Sequence, residues 1–365
     1  MTAHADDIAR LRLIRSDHIG PVTYRQLVRR FGTAQAALDA LPDLVRRGGG
    51  TNARIASADD AEREIAAVTA FGGRFVFIGT EFYPYLLSHT EDAPPAIAVK
   101  GDLGLLERPA VAIVGARNSS AAAMRFARGL SADLAAADYV VVSGLARGID
   151  AAAHWGALDG GTVAVIAGGL DVTYPAETAE LQGRIGEQGL VVAEQPFGTQ
   201  PMARHFPRRN RIIAGLCAGT VVVEGALRSG SLITARIAAE AGREVMAVPG
   251  SPLDPRAQGC NQLIRDGATL IQTAADVIEC LGTVGGPIGT MLAAPFTPYD
   301  SGPVAAEADD AERARVIALL SPTPCPVDEL IRQSGLAPAT VAGVLLDLEL
   351  AGGLARHAGG RVAAI

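Results

Sequence analysis

The chain of 365 residues lacks several features that mark particular classes of protein. No apolar run approaches the roughly 18 residues of a membrane span, and the first residues lack the apolar core of a signal peptide. The four cysteines are far apart and form no CxxC pair, so neither a zinc knuckle nor a disulfide framework is indicated. We therefore expect a cytoplasmic protein that has no membrane association, no metal and no cofactor.

Lysine and aromatic residues are also scarce. Lys100 is the single lysine, and aromatics make up 4% of the chain. The 39 acidic residues outnumber the 32 basic ones, which gives a net charge of -7. This balance argues against binding nucleic acid through overall positive charge, so any such binding has to be local.

The two ends of the chain have helical patterns. Residues 1–72 predict a small helical domain, and the glycine turn at residues 18–23 resembles a helix-hairpin-helix unit, although a simple helical turn explains it slightly better. Residues 285–308, rich in Gly, Pro, Ala and Thr, predict a linker. Residues 309–365 predict three helices and a hairpin, as in a winged helix with its turn at residues 334–336. The third helix carries Asp347 and Glu349 and no arginine, so reading of the major groove is not expected.

The middle region, residues 73–284, predicts an α/β domain with a Rossmann-like, doubly wound and mostly parallel sheet. Short apolar runs typical of strands buried on both faces alternate there with amphipathic segments. The runs are residues 111–114, 139–142, 163–166, 190–193, 220–223, 245–248 and 269–271. Ligands of such sheets bind at the carboxyl ends of the strands, so the loops that follow the runs are the candidate sites.

Glycine, small residues and arginine recur in these loops, which favours anion binding. The loop after the first run holds Gly115, Arg117 and Ser119, with Ser119 as the expected helix N-cap. The next loop holds Ser143, Gly144, Arg147 and Gly148. The sequence Ser229, Gly230, Ser231 opens another helix, where a phosphate site and a simple cap are equally plausible.

A local basic patch provides the strongest single signal. Residues 197–223 contain four arginines and no acid, and Phe206 lies among Arg204, Arg208, Asn210 and Arg211. Guanidinium groups follow phosphates while a ring stacks on a base, so this combination is typical of single-strand binding. The fourth arginine, Arg209, is expected in solvent.

Other polar residues near the loops favour structural roles. We expect Asp171 and Tyr174 to pin a loop, the His154 imidazole to be satisfied inside the fold, and Cys260 to be part of the packing.

Six motifs in order resemble the DNA-processing protein A family (DprA or Smf). They are Val-Gly-Ala-Arg at 114–117, Ser-Gly-Leu-Ala-Arg-Gly-Ile-Asp at 143–150, Gly-Leu-Asp-Val-Thr-Tyr-Pro at 169–175, Phe-Pro-Arg-Arg-Asn-Arg-Ile-Ile at 206–213, Ser-Gly-Ser-Leu-Ile-Thr-Ala at 229–235 and Gly-Cys-Asn-Gln-Leu-Ile at 259–264. The flanking helical SAM-like and winged-helix domains also match the family. Ala116, Arg208 and Arg228 depart from its usual residues, as does the sequence Ala-Gly-Gly at 167–169.

The resemblance implies a non-enzymatic protein that binds and protects single-stranded DNA in natural transformation and recombination. It also implies that the protein helps load a RecA-type recombinase, displaces single-strand binding protein and acts as a homodimer. The implied DNA contacts are Gly115, Arg117, Ser143, Arg147, Phe206, Arg208, Asn210, Arg211 and Ser229 to Ser231. Candidate dimer contacts are Asn261, Leu263, Ile264 and Leu270. Arg117→Ala or Arg211→Ala is then expected to weaken strand binding without unfolding the protein.

Two other classes of function use the same sheet. A nucleotide sensor or a phosphoribohydrolase-like enzyme is the main alternative, but residues 215–224 only partly match the signature of that enzyme class, which ends at Glu224. An NAD-dependent oxidoreductase is disfavoured because the GxGxxG spacing is absent.

Overall fold

The computed structural model describes residues 5–50, 53–283, 307–357 and 359–365. It divides into two compact units, one comprising Met1–Arg63 with Asp300–Ile365 and the other Glu64–Tyr299. Of the predicted linker, residues 285–306 lie outside the described part. No helix in that part is long and apolar enough to cross a membrane.

The first unit brings helices from both ends of the chain together. Its N-terminal helices are α1 (Ala5–Arg15), α2 (Pro21–Phe31) and α3 (Ala34–Arg47), and α4 (Ala58–Ala70) continues into the second unit. Gly20 precedes α2 with Pro21 as the first helical residue, an arrangement that proline favours because its missing N–H is unpaired there anyway. The predicted hairpin is therefore a pair of helices joined by a short turn.

The C-terminal part of this unit is a winged helix, as predicted. It consists of α13 (Asp310–Leu319), α14 (Val327–Ser334) and α15 (Pro338–Leu350), with strands β10 (Cys325–Pro326), β11 (Leu354–His357) and β12 (Arg361–Ala364). Asp309 and Glu312 form a capping box that starts α13. Gly335 ends α14 with a φ of 66°, a left-handed conformation that suits glycine, and so makes the predicted turn.

The second unit contains a nine-stranded sheet of mixed direction. Its strands are β1 (Arg74–Phe77), β2 (Ala96–Gly101), β3 (Ala110–Gly115), β4 (Val140–Ser143), β5 (Thr162–Ile166), β6 (Leu190–Ala193), β7 (Gly219–Val223), β8 (Glu244–Ala247) and β9 (Thr269–Leu270). The order is β1-β2-β6-β5-β4-β3-β7-β8-β9. All seven predicted runs form strands that pair in parallel, while β1 and β2 add an antiparallel edge that was not predicted.

Helices cover both faces of this sheet. Alternate residues of a strand point to opposite faces, and both sets are apolar in the buried strands, so both faces need a cover. The helices are α5 (Tyr85–Ser88), α6 (Ala121–Ala136), α7 (Ile149–Ala157), α8 (Ala179–Gln188), α9 (His205–Leu216), α10 (Gly230–Glu240), α11 (Gln258–Arg265) and α12 (Ala274–Thr283). Along β3, Ala112 and Val114 pack with α9 and α10, while Val111 and Ile113 pack with α6 and α7. The doubly wound architecture is therefore confirmed.

The order of the strands reverses at β3. The chain passes from β3 to β4 on one side and later returns to β7 on the other, and both pairs are parallel. Crevices at such reversals are where open α/β sheets bind ligands. The loops after β3, β4 and β5 are accordingly the part of the fold that positions the site.

Candidate functional site

A pocket of about 450 Å³ opens at the carboxyl ends of β3, β4 and β5. The loops after these three strands form its walls, and α9 closes one side. Four residues predicted to bind DNA line it, namely Arg117, Gly144, Arg147 and Phe206. The structure thus brings together side chains that lie up to 89 positions apart in sequence.

A cation and two rings form one wall of the pocket. The Arg117 guanidinium carbon lies 5.1 Å from the centre of the Phe206 ring. The Tyr174 ring lies 5.9 Å from the same ring, and half of the Tyr174 surface remains exposed. Flat, partly exposed rings next to a guanidinium group offer both a stacking surface and a phosphate ligand. This ring contact goes beyond the loop-pinning role that the sequence predicts for Tyr174.

Arg209 forms part of the pocket floor and corrects the expectation that it lies in solvent. The residue is buried, and its guanidinium Nη1 donates a hydrogen bond of 3.0 Å to the Val165 carbonyl. A Cβ at Gly144 would overlap this guanidinium group, so the glycine makes room for it. Packing against Arg209 is therefore enough to require glycine at residue 144, whether or not a ligand also approaches it.

A buried carboxylate balances the charge of Arg209. Burial lowers the pKa of Arg209 to about 10, and the charge of Asp150 partly offsets that effect. Burial likewise raises the pKa of Asp150, against the opposing effect of Arg209 and of the Ala146 amide, which donates to its carboxylate. The two charges stabilise each other beneath the pocket.

Three of the other predicted cations are exposed. Arg147 faces Glu177 at 3.6 Å, but both side chains are more than half exposed, and such pairs contribute little. Arg204 and Arg208 are exposed near the start of α9 and form no ion pair with any residue that the structure describes. These cations are therefore available to an anionic ligand.

Several predicted DNA-binding residues serve the fold of the loops. The Ser143 hydroxyl is buried and donates to the Ile113 carbonyl at 2.6 Å. A Cβ at Gly115 would overlap the Val223 carbonyl, and Gly148 has a φ of 79° before α7. In the described part of the chain the buried Ser119 hydroxyl has no hydrogen-bond partner.

The N-terminus of α6 already holds a carboxylate. Ser120 caps this helix, which corrects the expected cap at Ser119. The Ser120 amide and hydroxyl donate to the two Glu224 carboxylate oxygens, at 2.8 and 2.6 Å. An anion at a helix N-terminus is stabilised by the unpaired N–H groups and the helix dipole, and Glu224 supplies that anion from within the chain.

Two residues at the carboxyl edge adopt backbone conformations that side chains avoid. Leu145, just after β4, has a φ of 55°, and Glu224, directly after β7, has a φ of 53°. Such conformations cost energy and concentrate at functional sites. Both positions therefore add to the case that this edge of the sheet is the functional one.

Arg211 is held inside the protein. Its guanidinium group donates to the Asp92 carbonyl and the Glu194 carboxylate, and 10% of its side chain is exposed. The charges of Glu194 and Asp92 raise its pKa against the lowering effect of burial. These contacts anchor α9, so Arg211→Ala is no longer expected to leave the fold intact.

The second cluster of predicted residues lies where α9 meets α10. Asn210 donates a long hydrogen bond, 3.4 Å, to the Gly230 carbonyl. The Ser229 and Ser231 hydroxyls lie 2.8 Å apart and bond to each other. Gly230 is exposed and a Cβ there would meet open space. These residues lie beside α9 and outside the lining of the pocket.

The predicted dimer residues lie on and after α11. The Asn261 side-chain amide bonds in both directions with the Gly250 backbone. Leu263 and Ile264 are half-buried against the core, and Leu270 is exposed on β9 at the end of the sheet. Their role in a dimer stays a prediction.

The structural roles expected for Asp171 and Cys260 are confirmed. The His154 imidazole is satisfied only in part, because its buried Nε2 atom has no hydrogen-bond partner among the described residues. The His154 Nδ1 atom donates to the Thr162 hydroxyl at 2.7 Å, because that hydroxyl donates its own proton to the Val141 carbonyl. Burial lowers the pKa of His154 to about 3, so the ring stays neutral. Asp171 accepts from the Gly198 amide and so pins the next loop, and Cys260 is buried.

The described residues include no group of three or more His, Cys, Asp or Glu side chains that could hold a metal ion. Three arginines line the pocket, Arg117, Arg147 and Arg209, against one carboxylate, Glu177. Guanidinium groups are ligands for anions. The fold and the site thus define a Rossmann-like protein with an arginine-lined pocket at the carboxyl edge of its sheet. Along the chain, a helical hairpin domain precedes this fold and a winged helix follows it.

Comparison with known proteins identifies the family. The profile described as DNA recombination-mediator protein A matches residues 74–282, the DprA-like N-terminal HHH domain matches residues 4–67, and the DprA winged helix domain matches residues 301–360. The chain belongs to the DNA recombination-mediator protein A family.

Individual relatives cover much of the chain. The DNA processing protein DprA of Streptococcus pneumoniae is 49% identical over 202 residues, which are 54% of this chain and 70% of that protein. Its X-ray structure matches with a TM-score of 0.64 and 38% identity, covering 76% of this chain and 98% of that one. The DNA processing protein A of Helicobacter pylori, described by its single-stranded DNA binding mode, matches with a TM-score of 0.52 and 28% identity, covering 57% and 96%.

Proposed function

We propose that the chain binds single-stranded DNA at the carboxyl edge of its sheet. The observation that carries the proposal is the pocket wall of Arg117, Phe206 and Tyr174, which sets a cation and two rings side by side. The single-stranded DNA binding mode named for the Helicobacter pylori relative supports it.

In this proposal the exposed arginines follow the phosphates. Arg117, Arg147, Arg204 and Arg208 lie around the pocket and at the start of α9, where they form a positive track in an acidic protein. Their contacts release counterions, so binding weakens as salt rises. Because backbone contacts carry no sequence information, sequence preference is slight.

The rings receive an unstacked base. The pocket of about 450 Å³ is large enough for a small planar ligand, and Phe206 and Tyr174 provide a face for it. Arg209 supplies positive charge from the floor. Duplex DNA keeps its bases paired and stacked, so it cannot use this pocket without distortion.

The remaining predicted residues take supporting parts in the proposal. Gly115, Ser143, Gly144 and Gly148 shape the loops, and Asn210 with Ser229, Gly230 and Ser231 continues the surface past α9. The Ser119 hydroxyl is buried in the loop after β3 and has no hydrogen-bond partner among the described residues, so Ser119 also belongs to the loop that carries Arg117. Arg211 contributes by holding α9 in place.

The wider role rests on the family resemblance. We propose that the chain protects single strands in transformation and recombination without enzymatic activity, works as a homodimer in the cytoplasm, helps load a RecA-type recombinase and displaces single-strand binding protein. The division into residues 1–72, 73–284, 285–308 and 309–365 is likewise a proposal.

The phosphoribohydrolase-like alternative is not favoured by the geometry. That hypothesis needs Glu224 at a substrate, yet both oxygens of its carboxylate accept hydrogen bonds from Ser120. Glu224 also does not line the pocket. A carboxylate engaged in this way caps a helix and is poorly placed to act on a bound nucleotide.

Arg117→Ala tests the proposal. We expect weaker binding of a single-stranded oligonucleotide, by about 10-fold, because the variant loses a phosphate contact and the cation beside Phe206. Fluorescence anisotropy measures the affinity. Arg236→Ala is the matched control, since Arg236 is an exposed arginine on α10 that pairs only locally with Glu240. Equal affinity of Arg117→Ala and the parent would place the site elsewhere.

A further inference from the structure

The third helix of the winged helix, α15, is packed on two sides. Val341, Val344 and Leu345 belong to the core of the winged helix itself. Leu346 and Leu350 are also buried but lie outside that core, on another side of the helix. From residue 339 to residue 350, every residue of α15 is buried or half-buried. A helix that is apolar on more than one side requires a second partner.

The partner is α3 of the N-terminal helical domain, which contacts α15 within the same compact unit. The approach is close where α3 ends. A Cβ at Gly48 would overlap the Asp347 carbonyl, and one at Gly50 would lie 2.9 Å from the Ala351 Cα atom. Two glycines therefore let the backbones of the two domains touch.

Charges on the two domains are complementary. Glu307, just before α13, pairs with Arg47 at 2.7 Å and with Arg30 at 3.4 Å. Burial raises the pKa of the buried Asp347 carboxyl, and the hydrogen bond from Arg313 and the positive charges of Arg47 and Arg30 oppose this effect. The acidic side of the winged helix thus meets the basic end of the helical domain.

These features make α15 unfit for a DNA groove. In helix-turn-helix proteins the corresponding helix presents exposed side chains to base edges. Here α15 carries acidic residues, Asp347 and Glu349, which are paired with Arg313 and Arg356. Arg356 in turn reaches Gln26 of α2 at 3.4 Å. The contact with the helical domain lies at the C-terminal end of α15, at Asp347 and Ala351, and the burial of residues 339–350 leaves few exposed side chains for a groove.

We propose that the third helix of the winged helix is a protein-docking surface whose occupant is the chain's own N-terminal helical domain. The contact joins the two ends of the chain into one unit, and α15 does not read duplex DNA. This inference is independent of the single-strand site, since all of its residues lie in the other unit.

Gly48→Ala tests the docking contact. Gly48 has helical backbone angles, φ -66° and ψ -11°, so alanine suits the α3 end and disturbs the approach to Asp347 and Ala351. We expect amide hydrogen exchange in α15 and at the end of α3 to become about 10-fold faster. Gly50→Ala should have a smaller effect, because its Cβ meets a looser contact.

Gly20→Ala is the control, since a Cβ at this position meets nothing within 4 Å and the backbone is extended. Unchanged exchange in β3 and β7 shows that the second unit remains folded. If Gly48→Ala unfolds the first unit, the milder Gly50→Ala decides the outcome. The proposal is overturned if α15 exchanges equally fast in the parent and the variants. It is also overturned if an undocked variant binds a short duplex more tightly than the parent, because α15 would then be a covered DNA-reading helix.

Discussion

Phe206 contacts both of the other side chains that form the pocket wall, Arg117 and Tyr174. It lies on the first turn of α9, half-buried, with the Arg117 guanidinium on one side and the Tyr174 ring on another. A ring that served only the core would be fully enclosed by apolar side chains, whereas this ring borders a pocket, a guanidinium group and a half-exposed ring. The surroundings of Phe206 therefore favour contact with a ligand.

Replacing Phe206 by alanine should weaken single-strand binding by about 5- to 150-fold. The range follows from the roughly 1 to 3 kcal/mol that a stacked base contributes. Phe206→Trp should retain most of the affinity because it keeps a flat ring. Isothermal titration calorimetry with a short single-stranded oligonucleotide measures the change.

Phe71→Ala is the control for this measurement. Phe71 is an exposed ring in the same unit, but it contacts Phe197 and Lys100 and does not line the pocket. Equal losses in Phe206→Ala and Phe71→Ala would mean that the effect is not one of stacking at the pocket.

The sequence cannot distinguish Arg208, Arg209 and Arg211, which lie within four positions of one another. On a helix these positions point in different directions, so Arg208 is exposed, Arg209 forms part of the pocket floor and Arg211 is paired with Glu194. Charge composition singled out this segment. It could not assign roles, because the partners of Arg209 and Arg211 come from distant strands and loops.

At the scale of elements, α9 joins the site to the core. Ile212 and Ile213 pack under the sheet, Arg211 reaches Glu194 and Asp92, and the first turn presents Phe206. The position of the ring therefore depends on how firmly the helix is anchored.

Arg211→Ala should destabilise the protein by about 3 to 5 kcal/mol, because it leaves the partly buried Glu194 carboxylate without its cation. Urea unfolding measures the free energy change. Arg208→Ala is the matched comparison, since this exposed arginine on the same helix should affect DNA affinity and leave stability within about 0.5 kcal/mol. An unchanged unfolding midpoint in Arg211→Ala would show that the ion pair does not anchor α9.

The elements of the sheet could largely be predicted, and the reason is burial. Strands β3 to β7 are covered on both faces and consist of largely apolar runs. Strand β1 lies at the edge and pairs antiparallel with β2, which is buried but follows a stretch without clear periodicity, so neither was predicted. The contact between α3 and α15 was also missed, since nothing in a single sequence indicates that its two ends meet.

The net charge of the whole molecule is negative, whereas arginines predominate around the candidate site. The net charge is -7, yet Arg117, Arg147, Arg204 and Arg208 lie together around one pocket and the start of the adjoining helix. Acidic residues such as Glu194, Glu224 and Asp150 are turned to internal partners there. An acidic protein can in this way keep a positive surface for a polyanion while avoiding nonspecific attraction elsewhere.

The most direct test compares the affinity of the full chain for single-stranded and duplex DNA of the same length across a salt series. If four exposed arginines contact phosphates, log K should fall against log salt with a slope of about -3, and single strands should bind more tightly at every salt concentration. Arg208→Ala should make the slope shallower by about 0.7. A preference for duplex, or binding that does not change with salt, would contradict the account.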